Sequence, residues 1–163
     1  MKRKYLAIIL FLLIPLSFTL GQSLELFGQK VFFGSSMSEQ KNNFWQNNGQ
    51  LESEYSYIEV YESDNVNGFF YKNQLVTLYV NAWDNNPYPV CEEIENLITN
   101  VTPYKQYTEF DEVGIFVELY KTNDFYICRK SSRMNTEYII IPVTLLEKIQ
   151  TEHPDYYKEC FPD

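Results

Sequence analysis

The stretch YSYIEVYESDNVNGFFYKNQLVTLYVNA, residues 55–82, decides the fold of this chain. Its first seven residues alternate in the two-residue rhythm of a half-buried strand. Residues 64–68 supply turn residues that tolerate positive φ, and Lys72-Asn73 supplies a second turn before the apolar run 75–82. The stretch therefore predicts a three-stranded antiparallel meander.

Upstream of the meander, residues 24–33 read as one extended segment, which Gly34-Ser35-Ser36 interrupts. Ser36 and Glu39 have the spacing of a capping box, in which a hydroxyl and a carboxylate satisfy free backbone N–H groups at a helix start. We therefore expect a surface helix over about Met37–Asn47.

Downstream of the meander, a second helix is predicted over about 89–100, where Pro89 suits the first turn and an apolar stripe follows. Apolar patterning predicts four more strands, at residues 106–110, 113–121, 125–130 and 137–143. It also predicts a last helix at residues 144–152. Antiparallel strands interrupted by helices are typical of α+β folds. We predict an α+β fold, an antiparallel meandering sheet with two or three short helices on one face.

The first 21 residues have the layout of a secretory signal peptide. A basic start precedes an apolar run, and a more polar end follows with small residues before Gln22. A retained membrane anchor is disfavoured because the run is shorter than about 20 residues and Pro15 interrupts it. We expect a secreted or periplasmic protein with a single α+β domain over 22–163, with possible helix-plus-meander halves 22–86 and 87–163. No Cys precedes Cys91, so no lipid anchor on an N-terminal Cys is expected.

The chain is acidic, with a formal net charge of −9. Removal of the leader takes away Lys2, Arg3 and Lys4 and would bring the charge to −12. An acidic surface repels nucleic-acid phosphates and anionic membranes, and it attracts basic partners. We therefore expect no nucleic-acid binding and no membrane span after cleavage, and we expect a protein partner of basic character.

Three cysteines, Cys91, Cys128 and Cys160, would meet an oxidising compartment, so one disulfide and one leftover thiol are expected. All three pairings are open from the sequence. Cys128 with Cys160 is favoured because that bridge would pin the short C-terminal tail to a strand. The cysteines lack the close pairs of a zinc site, and the chain has a single His153, so neither a metal site nor a cofactor is expected.

An extended Phe-containing segment, a Gly-Ser-Ser break, a short capped helix and an antiparallel meander follow one another over residues 26–82. With the residues Phe33-Gly34-Ser35-Ser36, this order resembles the small envelope modules built like the β-lactamase inhibitor protein. Members of that family are mostly non-enzymatic binders or assembly factors. The resemblance therefore implies binding, and it carries over no functional residue.

Common catalytic motifs are missing from the sequence. It has no Gly-x-Ser-x-Gly, no His-Glu-x-x-His and no phosphate-binding Gly-rich loop, and its only histidine stands near the C-terminus as a solvated helix end. Carboxylates are plentiful, so a glycosidase with two acidic residues stays open.

One carboxylate has a distinctive setting. The strand period places Glu59 on one face with Tyr57 and Tyr61, a set that suits a sugar or a cation but looks the same as a solvated outer face.

The high aromatic content, with 14 Tyr, 12 Phe and 2 Trp, indicates that some rings lie on the surface. Tyr and Trp offer large contact area with a polar tip, which suits protein interfaces. The best candidate loop is stiffened by two prolines and carries Trp83, Asp84 and Tyr88. We predict a non-enzymatic binding module for a protein partner; the alternative is a carboxylate-based hydrolase or binder of cell-envelope sugars.

Overall fold

A computed structural model describes residues 22–40, 50–51, 54–63, 66–82, 91–109, 114–133, 135–158 and 161. Ten strands in these residues are β1 Ser23–Leu26, β2 Gln29–Phe32, β3 Gln50–Leu51, β4 Ile58–Ser63, β5 Val66–Tyr71, β6 Gln74–Ala82, β7 Lys105–Glu109, β8 Ile115–Lys121, β9 Phe125–Ser131 and β10 Thr136–Pro142. Two helices are α1 Glu92–Ile98 and α2 Val143–Glu152.

A single antiparallel sheet runs in the order β3-β4-β5-β6-β10-β9-β8-β7, with seven full strands and the two-residue β3 at one edge. The meander β4-β5-β6 confirms the prediction from residues 55–82, and its Lys72-Asn73 turn has positive φ at both residues. A second meander runs from β7 to β10. The two join where β10 pairs with β6, Tyr138 standing opposite Val80.

Both faces of this sheet are covered. On one face, which we call the hairpin face, the β1-β2 hairpin and α1 bury a core that includes Leu26, Leu78 and Ile94. On the other, the tail face, α2 and the C-terminal tail of residues 154–158 and 161 bury a core that includes Ile149 and Tyr156.

The α+β prediction is wrong, because the described chain is mostly β and its two helices lie on opposite faces of one sheet. The β6–β10 pairing joins the two expected meanders into one wide sheet. Each face of this sheet carries apolar side chains that other elements bury. One sheet also runs through both of the expected halves, 22–86 and 87–163.

Several predictions of individual helices, strands and local contacts agree with the structure. The helices expected at 89–100 and 144–152 are α1 and α2, and the later strands correspond to β7–β10. Around Ser36, the Glu39 carboxylate accepts hydrogen bonds from the Ser36 N–H and hydroxyl, at 2.8 and 2.9 Å. Residues 37–39 form a turn and not the start of the expected helix, Gln40 belongs to no element, and residues 41–47 lie outside the described residues.

The segment 24–33 is a hairpin and not the single extended run that was expected. Its two-residue turn, Phe27-Gly28, has φ of 51° and 72°. Only Gly28 is a usual turn residue, so the turn was missed. In the part of the chain that the structure describes, no helix is long and apolar enough to cross a bilayer.

The described cysteines lie on different faces of the sheet. Cys91 is buried on the hairpin face and Cys128 on the tail face, and no disulfide joins them. Cys160 lies outside the described residues. Its chain neighbour Phe161 belongs to the same buried cluster as Cys128. The Cys128–Cys160 pairing stays a prediction.

We expect the protein, isolated and denatured without reductant, to take up one iodoacetamide label, on Cys91, because the predicted bridge would engage the other two of its three cysteines. Prior reduction should raise the number of labels to three. Mass spectrometry of a non-reduced digest should find the peptides of Cys128 and Cys160 linked. Three labels without reduction, or a link from Cys91, would show that the pairing is wrong.

Candidate functional site

The first predicted patch cannot be placed. Trp83, Asp84 and Tyr88 lie outside the described residues, so their role in binding stays a prediction.

The second predicted set is divided between the two faces of the sheet. Strand β4 begins only at Ile58, whose N–H is bonded to the carbonyl of Tyr55 in the preceding turn. Tyr57 belongs to that turn and packs on the tail face, whereas Tyr61 packs on the hairpin face. Glu59 lies beside Tyr61, and the Tyr61 hydroxyl donates a hydrogen bond to the Glu59 carboxylate at 3.3 Å. The period-two reading failed here because it extended the strand three residues too far.

Tyr57 instead meets the single histidine of the chain. Its ring stacks on His153 with centroids 3.6 Å apart and planes 11° from parallel. The Tyr57 hydroxyl donates to an Asp155 carboxylate oxygen at 3.4 Å, and the ring of Tyr71 meets His153 edge-on at 5.5 Å. Glu152, next to His153, completes a group that we call the aromatic-acidic patch: Tyr57, Tyr71, Glu152, His153 and Asp155.

The carboxylates of the patch act as hydrogen-bond acceptors. Glu152 accepts from the Tyr71 hydroxyl at 2.7 Å and from Lys72 Nζ at 2.7 Å. Hydrogen bonds from Lys72, and then from Tyr71, hold the pKa of the Glu152 carboxyl below its ordinary value. Burial raises the pKa of the Tyr57 hydroxyl, and the Asp155 charge adds to that effect. At neutral pH the patch therefore presents a neutral phenol beside a charged Glu152 that is paired with Lys72.

Buried tyrosines hold the patch in place. Tyr156 is fully buried, shares a 2.8 Å hydrogen bond with the hydroxyl of Thr77 on β6, and packs against Tyr55 at 4.9 Å. The Tyr55 hydroxyl accepts a hydrogen bond from the Tyr157 backbone N–H at 3.1 Å. These contacts fasten the tail to the sheet, so Asp155 is positioned before any ligand arrives.

A pocket of about 270 Å³ opens beside the patch, between α2 and the tail. It is lined by Glu147, Gln150, Thr151, Pro154, Lys158 and Phe161. Its lining residue Pro154 stands in the chain between His153 and Asp155 of the patch. Hydroxyl, amide and charged groups beside two apolar rings suit a small polar ligand.

Sequence reasoning missed this site because its members come from three separate stretches: 55–57, 71–72 and 152–157. His153 was assigned the role of a solvated helix end, and it does follow α2, with its N–H bonded to the Ile149 carbonyl at 2.7 Å. The signal that could have pointed to the site was the tail's own composition, in which His153, Asp155, Tyr156 and Tyr157 are close together.

Comparisons with protein-family models, with curated proteins and with solved structures found no match to this chain. The resemblance of residues 26–82 to modules built like the β-lactamase inhibitor protein therefore stays a prediction. Within the described residues, no three His, Cys, Asp or Glu side chains are grouped so as to hold a metal ion.

Proposed function

We propose that this protein is a secreted or periplasmic, non-enzymatic module that binds a basic protein partner through the aromatic-acidic patch. The observation that carries the proposal is the Tyr57–His153 stack with Asp155 and Glu152 beside it. Arginine guanidinium groups stack on aromatic faces and bond to carboxylates, so one arginine side chain can use both features. The acidic charge of the chain supports the same class of partner.

Three carboxylates of the described residues are held in their charged form, which suits the recognition of a basic partner. Among the described residues, Glu39, Glu93 and Glu152 have shifted carboxyl pKa values, and all three shift downward. Hydrogen-bond donors cause each shift, which keeps these groups as charged acceptors.

The alternative, binding of cell-envelope sugars, is favoured by the pocket beside the patch. Glu147, Gln150 and Thr151 offer carboxylate, amide and hydroxyl groups of the kind that bond to sugar hydroxyls. A glycan array probed with the secreted protein tests this reading. Binding lost on Thr151→Val and kept on Glu59→Gln would favour the pocket over the sheet face that carries Glu59.

The protein-binding proposal is tested by using the secreted protein as bait against envelope and secreted proteins of its own organism, with elution by rising salt. We expect a basic protein to be released by salt, because exposed charge pairs are screened. Its affinity should fall at least about tenfold when Tyr57 and His153 are both replaced by alanine, since aromatic anchors dominate interfaces.

The matched control is Tyr104→Ala, which removes a tyrosine that is 46% exposed and lies outside the patch. Affinity should be unchanged by this substitution. Circular dichroism should show that both variants remain folded. A partner that binds the double variant as tightly as the wild type would overturn the choice of patch.

A further inference from the structure

At the tip of the β1-β2 hairpin, the ring of Phe27 is exposed to solvent and its backbone is strained. Phe27 and Gly28 form its two-residue turn with φ of 51° and 72°. Positive φ at both central residues is the type I′ geometry, for which Asn-Gly and Asp-Gly are the preferred pairs. A bulky side chain at positive φ is an outlier, and the Phe27 side chain is 47% exposed.

Three other non-glycine residues in the described ranges have positive φ, and the fold accounts for each of them but not for the Phe27 ring. Lys72 reaches Glu152 at 2.7 Å, Asn73 belongs to a type that tolerates the left-handed region, and Tyr157 packs against Tyr156 at 4.8 Å. At Phe27, the Glu93 carboxylate accepts the backbone N–H at 3.1 Å. Any residue except proline would offer that N–H, so the bond does not explain a phenylalanine.

The hairpin is held rigidly against the sheet. Leu24, Leu26 and Val31 are buried in the core of the hairpin face, and the Phe33 ring packs against Phe125 at 5.6 Å. Gly34 N–H and the Leu75 carbonyl, 2.8 Å apart, tie the end of the hairpin to β6. The exposed ring therefore stands on a preorganised support, which limits the entropy lost on binding.

Acidic side chains lie on the hairpin and on the adjoining helix α1. Glu25 lies on the outer side of β1, and Glu93, which contacts the Phe27 N–H, has exposed Glu92 as its chain neighbour. Lys30 is the cross-strand partner of Glu25, and its Nζ lies 5.3 Å from the ring centre of Phe32. Phe32 is also exposed on the outer side of the hairpin. The three carboxylates and the one ammonium group give this region a negative net charge. It also carries two exposed aromatic rings.

We propose that this hairpin tip is a docking element, in which Phe27 enters an apolar pocket of a protein partner that has lysine or arginine at its rim. The ring supplies the buried anchor and the three carboxylates match the basic rim. The tip lies on the hairpin face and the aromatic-acidic patch on the tail face. Either proposal can therefore fail without the other.

The test places the photo-crosslinking residue p-benzoylphenylalanine at position 27 of the full chain, produced in its own organism. Phe116 is the matched control site, because it is also a phenylalanine, is 41% exposed and lies on β8 of the sheet. We expect irradiation to give an adduct with a second protein from position 27 and not from position 116. The captured protein is then purified and its affinity for each variant is measured.

The decisive variant is Phe27→Asn. Asparagine suits positive φ, so this variant should unfold at the same or a higher temperature than the wild type. Its affinity for the captured protein should nevertheless fall about tenfold or more, whereas Phe116→Asn should bind like the wild type. Loss of binding with stability kept separates a docking role from a structural one.

Four results would overturn the proposal. They are no adduct at position 27, the same adducts from both positions, an adduct of twice the chain's own mass, and unchanged affinity of the Phe27→Asn variant. The third would mean that a second copy of this chain covers the tip. Variants in the aromatic-acidic patch, measured with the same partner, show which of the two surfaces it uses.

Discussion

Replacing Arg129 by methionine is expected to lower the free energy of unfolding by about 1–3 kcal/mol, between the values for exposed and fully buried ion pairs, because the Arg129 side chain is 25% exposed. Arg129 Nη1 lies 2.7 Å from Glu118 Oε2, and its Nε lies 3.0 Å from Glu95 Oε1. The Glu118 side chain is only 10% exposed. Without the guanidinium, the Glu118 and Glu95 carboxylates would lose the cation that both contact.

The Arg129 network ties α1 to the sheet. Glu95 comes from α1, and it also accepts a 2.6 Å hydrogen bond from the Tyr138 hydroxyl on β10. Glu118 on β8 accepts from Gln106 of β7 at 3.0 Å. The contact of Arg129 Nε with Glu95 is close but poorly directed for a hydrogen bond, so its contribution is mainly Coulombic. Burial, and then the bond to Glu95, raises the pKa of Tyr138 and keeps that hydroxyl a donor.

The measurement is urea unfolding of the full chain at neutral pH, followed by circular dichroism. Lys148→Met is the matched control, because it removes an exposed cation on α2 and should change stability by less than about 0.5 kcal/mol. Adding Glu118→Gln to the Arg129 variant should cost less than the two single changes together. A loss of under about 1 kcal/mol for Arg129→Met would mean that the network behaves as exposed surface pairs.

Replacing Tyr156 by alanine is expected to cost about 3–5 kcal/mol, as for other large buried aromatic side chains. The ring is fully buried on the tail face, with Tyr55 at 4.9 Å and Tyr157 at 4.8 Å. Its removal leaves a cavity between the tail and the sheet. Because Asp155 and His153 belong to the same turn, the variant should also lose binding through the aromatic-acidic patch.

The hydroxyl of Tyr156 can be tested separately from the ring. Tyr156→Phe should cost about 1–3 kcal/mol, because it leaves the buried Thr77 hydroxyl without its 2.8 Å partner. Thr77→Val added to that variant should restore most of the stability, since both polar groups are then gone. Urea unfolding of the four proteins forms the cycle, and purely additive losses would contradict a direct bond between the two hydroxyls.

Local chemistry was enough to predict several elements. Asn73 tolerates the left-handed backbone that a tight turn requires, so the boundary between β5 and β6 could be predicted from neighbouring residues. The spacing of Ser36 and Glu39 predicted a contact that the structure contains. The apolar stripes of α1 and α2 likewise depend on neighbours three or four positions apart.

The candidate site was harder to predict, because its geometry depends on distant partners. Tyr57 was expected beside Glu59 and Tyr61, but strand β4 starts one residue after it and the ring turns to the tail face. His153, about a hundred positions away, is its stacking partner. No local rule connects the two positions. Phe27 was missed for a related reason, since a phenylalanine in a tight turn contradicts the usual turn preferences.

The amino-acid sequence was sufficient for the meander, both described helices and the acidic charge, because period, turn chemistry and formal charge are properties of neighbouring residues. The tertiary structure alone decided that β10 pairs with β6, that helices cover both faces, and that the tail brings His153 and Asp155 to Tyr57. Backbone groups of all strands offer the same hydrogen bonds, so the choice of strand partner depends on which pairing buries the most apolar surface across the whole chain.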